Sequence, residues 1–254
     1  MTSEESDSFA IQKVEDFTPE GFRWVSLKLI SYVDPTGRHR KWEMVSRSTR
    51  AGDCDGVAVF ARFRHPASTS AGTLVLISQY RPPLRQVCLE LPAGLVDANE
   101  SAEDAGLREL REETGYVAHA SDTVAASPVT PNDPGLTDAN MRLVVADLDA
   151  RSDANQRPRA SPDEGEFITV HRLDLPDGVG GGTLCDRIDA LAARLGAVVD
   201  ARLYALATGY DLGAADARRA AGPGSFGALA ASCVVGALAG GVLAGLVIAA
   251  RPRV

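Results

Sequence analysis

Residues 94–116 read GLVDANESAEDAGLRELREETGY. Ser101 followed by Asp104 suits a helix start, and Gly115 suits the helix end. The stretch therefore predicts a helix over about 101–114. On it Glu109 and Glu113 are four residues apart and Glu112 lies three beyond Glu109. Residues so spaced are surface neighbours, roughly 5–6 Å apart at Cβ. Carboxylates crowded this way repel one another, and a divalent cation that collects them removes the cost. Hard oxygen ligands of this kind favour Mg²⁺, with Mn²⁺ as a substitute. The alternative is a solvated acidic helix face with Arg108 and Arg111 as partners.

Upstream, residues 24–30 alternate in the manner of a strand and a second strand covers about 41–48. Asp34-Pro35-Thr36-Gly37 between them places Pro and Gly where a type I turn prefers them, so a β-hairpin is expected. Further strands are read over 56–63, 73–79, 86–91, 141–147 and 166–171, and helices over about 184–195 and 200–208. Strands followed by a helix, then strands and helices, indicate an α+β or α/β/α arrangement. The polar, Pro-containing run 151–164 is long enough for a functional loop.

The 254 residues suffice for one large or two small domains. The net charge of -8 is interspersed with no basic stripe, which argues against nucleic acid as a partner. An acidic chain that handles a polyanion must gather cations or recruit metal. Cys54, Cys88, Cys185 and Cys233 form no C-x-x-C pair, so neither a zinc site nor a disulfide framework is indicated, and reduced thiols fit a cytoplasmic setting. The histidines are scattered without ligand spacing. The acidic amino terminus lacks the features of a secretory signal. At the other end, residues 226–250 carry no charge and are long enough to span a bilayer, with G-x-x-x-G spacings at Gly236/Gly240 and Gly241/Gly245. That predicts a tail anchor with the rest of the chain facing the cytosol; the alternative is a weakly hydrophobic Ala/Gly segment that packs on a dimer or stays loose.

The spacing of Gly94, Glu100, Arg108, Glu109, Leu110, Glu112, Glu113, Gly115 and Tyr116 resembles the Nudix box, G-x5-E-x7-R-E-U-x-E-E-x-G-U, where U is bulky and apolar. Tyr116 is the one departure, aromatic where an aliphatic residue is usual. A chance match of about 10⁻⁸ to 10⁻⁹ per starting point makes the signal specific. Outside the box, Gln79-Tyr80-Arg81-Pro82-Pro83, Glu90-Leu91-Pro92-Ala93-Gly94-Leu95, Asp133-Pro134-Gly135-Leu136-Thr137, Trp42-Glu43 and Gly165-Glu166-Phe167 resemble the ADP-sugar pyrophosphatase branch of that family, a likeness running over about 22–207. It implies an α+β chain: a Nudix α/β/α sandwich with an N-terminal antiparallel β-sheet dimerisation domain. The expected division is a flexible acidic leader (1–20), an N-terminal β domain (21–52), a Nudix hydrolase domain (53–210), a linker (211–225) and a candidate transmembrane helix (226–250).

The same resemblance implies roles. Glu109 and Glu113 are the main metal ligands, joined by Glu112, the Ala93 carbonyl and Glu90. Arg108 fixes Glu109 or Glu112, and Glu112 orients a metal or water. Glu166 orients or deprotonates the attacking water. Trp24 and Trp42 sandwich adenine, one from each subunit of a domain-swapped homodimer. Arg47 and Arg81 contact diphosphate or ribose, Glu43 the adenine edge, and Asp133 and Leu95 line the substrate site. The implied reaction is Mg²⁺-dependent hydrolysis of ADP-ribose or a related ADP-sugar to AMP and a sugar phosphate. The alternatives are a Nudix enzyme for another nucleoside diphosphate derivative and a non-catalytic nucleotide-binding membrane protein.

Overall fold

A computed structural model describes residues 9–64, 72–176 and 182–221. The chain opens with strands β1 (Ala10–Asp16), β2 (Val25–Val33) and β3 (His39–Arg47). Then come β4 (Gly56–Phe63), β5 (Thr73–Arg81), β6 (Gln86–Glu90), β7 (Ala93–Leu95) and helix α1 (Ala102–Thr114). Strands β8 (Thr123–Ala126), β9 (Thr130–Pro131) and β10 (Asn140–Leu148) precede the one-turn helix α2 (Asp153–Gln156) and β11 (Thr169–Asp174). Helix α3 (Leu184–Leu195), the short β12 (Val198–Val199) and helix α4 (Ala201–Ala221) complete the described chain. It divides into two units: residues 1–57 with 95–102 and 128–142, and the remainder.

In the first unit β1, β2 and β3 form an antiparallel sheet. Pairing runs in register from Val25 opposite Arg47 to Val33 opposite His39. The turn forms because the Asp34 carboxylate accepts from the Thr36 and Arg38 amides, while the Gly37 amide donates to the Asp34 carbonyl at 2.9 Å. Behind β3, Arg50 grips Asp55 through two hydrogen bonds of 2.9 and 2.6 Å, and the Asn140 amide donates to Asp55 at 2.9 Å. These bonds satisfy a buried carboxylate and fix the start of β10.

The second unit carries most of a mixed sheet of nine strands among the described residues, in the order β12-β6-β5-β4-β10-β8, with β11 on β5, β7 on β4 and β9 on β10. β12 runs parallel to β6 and β11 antiparallel to β5. Every residue of β4 is buried, the pattern of a strand covered on both faces. On one face Val59, Phe63, Val75, Ala146 and Leu148 enclose Leu110 of α1 and Tyr116. The Phe63 and Tyr116 rings meet edge to face at 5.1 Å. That contact accounts for an aromatic residue where the box usually has an aliphatic one. By strand alternation Leu74 and Leu76 point the other way, and they are fully buried, as are Leu184, Ile188 and Leu203 of α3 and α4.

Two expectations change. Residues 10–16, read as part of a flexible leader, pair with β2 as strand β1. Their apolar members Ile11 and Val14 are interleaved with charges and stay exposed, so composition concealed the strand. Residues 211–221, read as linker, continue α4. The stretch is rich in Ala and Arg, strong helix formers that carry the helix past Gly213. The segment 226–250 lies outside the described residues, and none of the described helices is long and apolar enough to cross a membrane.

Leu110 anchors the box helix from a fully buried position. Replacing it with alanine is expected to lower unfolding free energy by about 2–5 kcal/mol, read from urea denaturation. A change under about 0.5 kcal/mol would contradict this packing.

Candidate active site

Helix α1 places Leu110 in the core and turns its acidic residues toward the loop that precedes it. Glu113 is 2% exposed, and its Oε2 accepts the Ala93 amide at 2.9 Å. Gly94 lies so close that a Cβ there would overlap the Glu109 carboxylate, which is why the box opens with glycine. Arg108 Nη1 donates to Glu109 Oε1 at 2.8 Å and to Glu112 Oε2 at 3.0 Å. One nitrogen thus bridges two carboxylates. Glu100 closes its own loop, exchanging bonds of 3.2 Å with Asp97.

Burial is the largest influence on both inner carboxyls. It pushes Glu109 upward against the opposing Arg108 charge, with Glu112 and Glu166 adding to the rise. Glu113 is pushed up to about 8, chiefly by burial and further by Glu109 and Glu166, although the Ala93 amide opposes the shift. At neutral pH and without a cation Glu113 holds a proton. Among the described residues no three acidic, histidine or cysteine side chains already converge on one point; here Arg108 supplies the counter-charge to Glu109 and Glu112. The donor set is nevertheless one a hard divalent cation fits: crowded carboxylate oxygens, two of them disfavoured as bare anions, beside the Ala93 backbone.

Arg81 and Glu90 form a fork, Nε to Oε1 at 2.8 Å and Nη2 to Oε2 at 2.6 Å. Both Glu90 oxygens are therefore engaged by a guanidinium, and Glu90 orients Arg81. Arg81 in turn lies within electrostatic reach of Glu113. Glu166 sits before β11 in a turn where its amide donates to the Asp163 carbonyl at 3.1 Å and its Oε2 accepts the Asp163 amide at 3.2 Å. Its charge raises the pKa of both Glu109 and Glu113. The preceding loop crosses the end of α1. The Ser161 amide donates to the Glu112 carbonyl at 2.8 Å, and a Cβ on Gly115 (φ +75) would overlap the Arg159 backbone. Gly115 thus serves twice, as a left-handed helix terminus and as room for a crossing chain. The sequence offered only the loop's length as a sign of these contacts.

Apart from Arg81, the residues expected to recognise substrate fall in the first unit. Trp24 and Trp42 are 63% and 47% exposed, unusual for side chains of that size. The Trp42 indole N–H donates to the Gly135 carbonyl at 3.1 Å. Asp133 is exposed, and its Oδ1 accepts the Gly135 amide at 3.3 Å. Glu43 follows Trp42 on β3, so the two side chains leave opposite faces of the strand. A cavity of about 440 Å³ lined by Phe17, Leu27, Leu29, Val45 and Leu136 includes Glu43. Arg47 is exposed at the end of β3 and Leu95 half-buried at the end of β7.

Residues 57–181 match the NUDIX domain. An uncharacterized Nudix hydrolase of Schizosaccharomyces pombe is 39% identical over 204 residues, which cover 80% of this chain and 93% of that protein. The ADP-sugar pyrophosphatase of Mus musculus is 38% identical over 192 residues, covering 75% of this chain and 83% of the mouse protein. The ADP-ribose pyrophosphatase of Saccharomyces cerevisiae is 38% identical over 154 residues, 60% of this chain and 65% of the yeast protein. The chain belongs to the Nudix hydrolase family, and its α+β sandwich and acidic box helix are those of a hydrolase.

The buried Glu113 makes metal-free stability depend on pH. Unfolded, the group ionises near 4.5; folded, near 8. Between those values the folded chain holds a proton that the unfolded chain has lost, so stability falls as pH rises, with no further loss above about 8. In chelator, Glu113→Gln is therefore expected to be more stable than wild type at pH 8, by on the order of a few kcal/mol, and equal to it near pH 4.5. A stability difference that does not vary with pH would contradict the assignment.

Proposed function

We propose that this chain hydrolyses the diphosphate of ADP-ribose and related ADP-sugars with Mg²⁺, Mn²⁺ serving as substitute, to give AMP and a sugar phosphate. The observation that carries the reading is the pairing of half-buried Glu109 with buried Glu113, with Arg81 and Glu166 in electrostatic reach of Glu113. The mouse and yeast relatives, named for ADP-sugar and ADP-ribose pyrophosphatase activity, support the substrate class.

Glu109, Glu112 and Glu113, with the Ala93 carbonyl, hold the cation. When bound, it neutralises charge on phosphate oxygens and lowers the pKa of the attacking water. The remaining tasks fall to the chain's own groups. Arg81, oriented by the Glu90 fork, faces negative charge developing on the diphosphate. Glu166 orients the water and accepts its proton. Arg108 keeps Glu109 and Glu112 in place, and Arg47, Asp133 and Leu95 contact the substrate. Glu43 meets the adenine edge.

Trp24 and Trp42 stack on adenine, and the register supports two chains in doing so. The Trp24 carbonyl accepts the Ser48 amide, whereas Trp42 pairs with Ile30, six residues further along β2. At roughly 3.3 Å per residue the two backbones are about 20 Å apart. The Trp42 indole is also tied to Gly135. One copy therefore does not close a sandwich, and a homodimer brings together one tryptophan from each. Exposed Ile11, Val14 and Phe17 on and beside β1 provide apolar surface for a second copy.

Stacking binds ground state and transition state alike, so Trp24→Ala is expected to raise KM for ADP-ribose roughly 5- to 100-fold with kcat little changed. Unchanged KM would remove the adenine role. The charge-free run 226–250 completes the reading as a tail anchor on a catalytic domain in the cytosol. Fractionation without detergent is expected to place the full chain with membranes, and recovery wholly in the soluble fraction would remove the anchor.

A further inference from the structure

Asn155 lies in α2, within the run the sequence shows only as a polar loop. It is 6% exposed, and its side-chain amide makes three hydrogen bonds to backbone. Oδ1 accepts the Val117 amide at 2.7 Å, while Nδ2 donates to the Val117 carbonyl at 2.9 Å and to the Asp149 carbonyl at 3.0 Å. Both backbone groups of Val117 are thus gripped as a neighbouring strand would grip them. Val117 comes two residues after Gly115, the terminus of the box helix. Only a neutral amide of this length fits the pattern: aspartate cannot donate to two carbonyls, and a hydroxyl has a single hydrogen to give.

From Asn155 the chain stays on the helix end. The backbone of Arg159 fills the space left by Gly115. The Ser161 amide donates to the Glu112 carbonyl at 2.8 Å, and the Asp163–Glu166 turn follows. A segment of this length without anchors would sample many arrangements and lose entropy on each productive approach. Three contacts on one helix terminus remove most of that freedom.

We infer that Asn155 is a positioning residue, clipping the Glu166 loop to the carboxyl end of the box helix so that Glu166 stays in register with Glu109 and Glu113. The inference rests on the reading of Glu166 as the residue that orients the attacking water. Asn155 touches neither substrate nor metal and acts through the loop. Its removal therefore affects the step that uses Glu166 and leaves cation and nucleotide binding alone.

A double-mutant cycle separates this role from a merely structural one. Assayed with ADP-ribose and Mg²⁺ well below the unfolding temperature, Asn155→Ala is expected to lower kcat roughly 10- to 100-fold, since small misplacements of catalytic groups cost that much. KM and the Mg²⁺ concentration for half-maximal rate are expected to stay within about twofold of wild type. In a Glu166→Gln background the same Asn155 substitution is expected to change kcat by less than about twofold, because the group it positions has already been disabled. An equal loss in both backgrounds, or no loss in a folded Asn155→Ala protein, overturns the proposal. The Glu166→Gln single variant reports separately on the underlying reading: near-normal turnover there means Glu166 does not orient the water. If Asn155→Ala yields too little folded protein, Asn155→Ser, which retains one hydroxyl for the Val117 groups, is taken through the same cycle.

Discussion

The site depends on a carboxyl group that the fold buries at the cost of its charge. Glu113 is enclosed beneath the loop before α1, with the Ala93 amide as its one close donor among the bonds described and Glu109 beside it. Burial and like charge both favour the protonated form. A divalent cation would reverse that preference by supplying a stronger counter-charge than the proton. The strands, the opening glycine and the fully buried Leu110 hold the helix so that Glu113 faces inward while Glu112 stays half-exposed.

Around that constraint the other charges are sorted by partner. Arg108 bridges Glu109 and Glu112, while Glu90 takes Arg81 in a fork that leaves the guanidinium within reach of Glu113. In the proposed reaction a positive group already held in place needs no reorganisation. The loop across the helix end adds a further carboxylate, Glu166. Charged groups thus come from a rigid helix, a strand-borne arginine and an anchored loop, while the two exposed tryptophans are carried by the N-terminal unit.

The box helix was legible in the sequence because its residues are fixed by spacing along one element: helix geometry alone brings Glu109, Glu112 and Glu113 together. The hairpin was legible too, through the Asp34–Gly37 turn and the alternation that flanks it. Strand β1 was not, because an exposed edge strand can carry charge on nearly every second position and still pair through its backbone. The Arg81–Glu90 fork was hidden for a different reason. The guanidinium arrives from the neighbouring strand, which spacing along one segment does not reveal. Asn155 left no local signal at all, since its partner Val117 is 38 residues away and contributes only backbone.

The acidic turn of α1 is the cation site proposed above. Equilibrium binding of Mn²⁺, followed by electron paramagnetic resonance of the free ion, measures this without substrate or turnover. Wild-type protein is expected to bind Mn²⁺ saturably, with Glu109→Gln and Glu113→Gln each weakening binding by on the order of 100-fold while the fold persists, as loss of a charged ligand implies. Binding of equal strength in all three proteins would contradict the account.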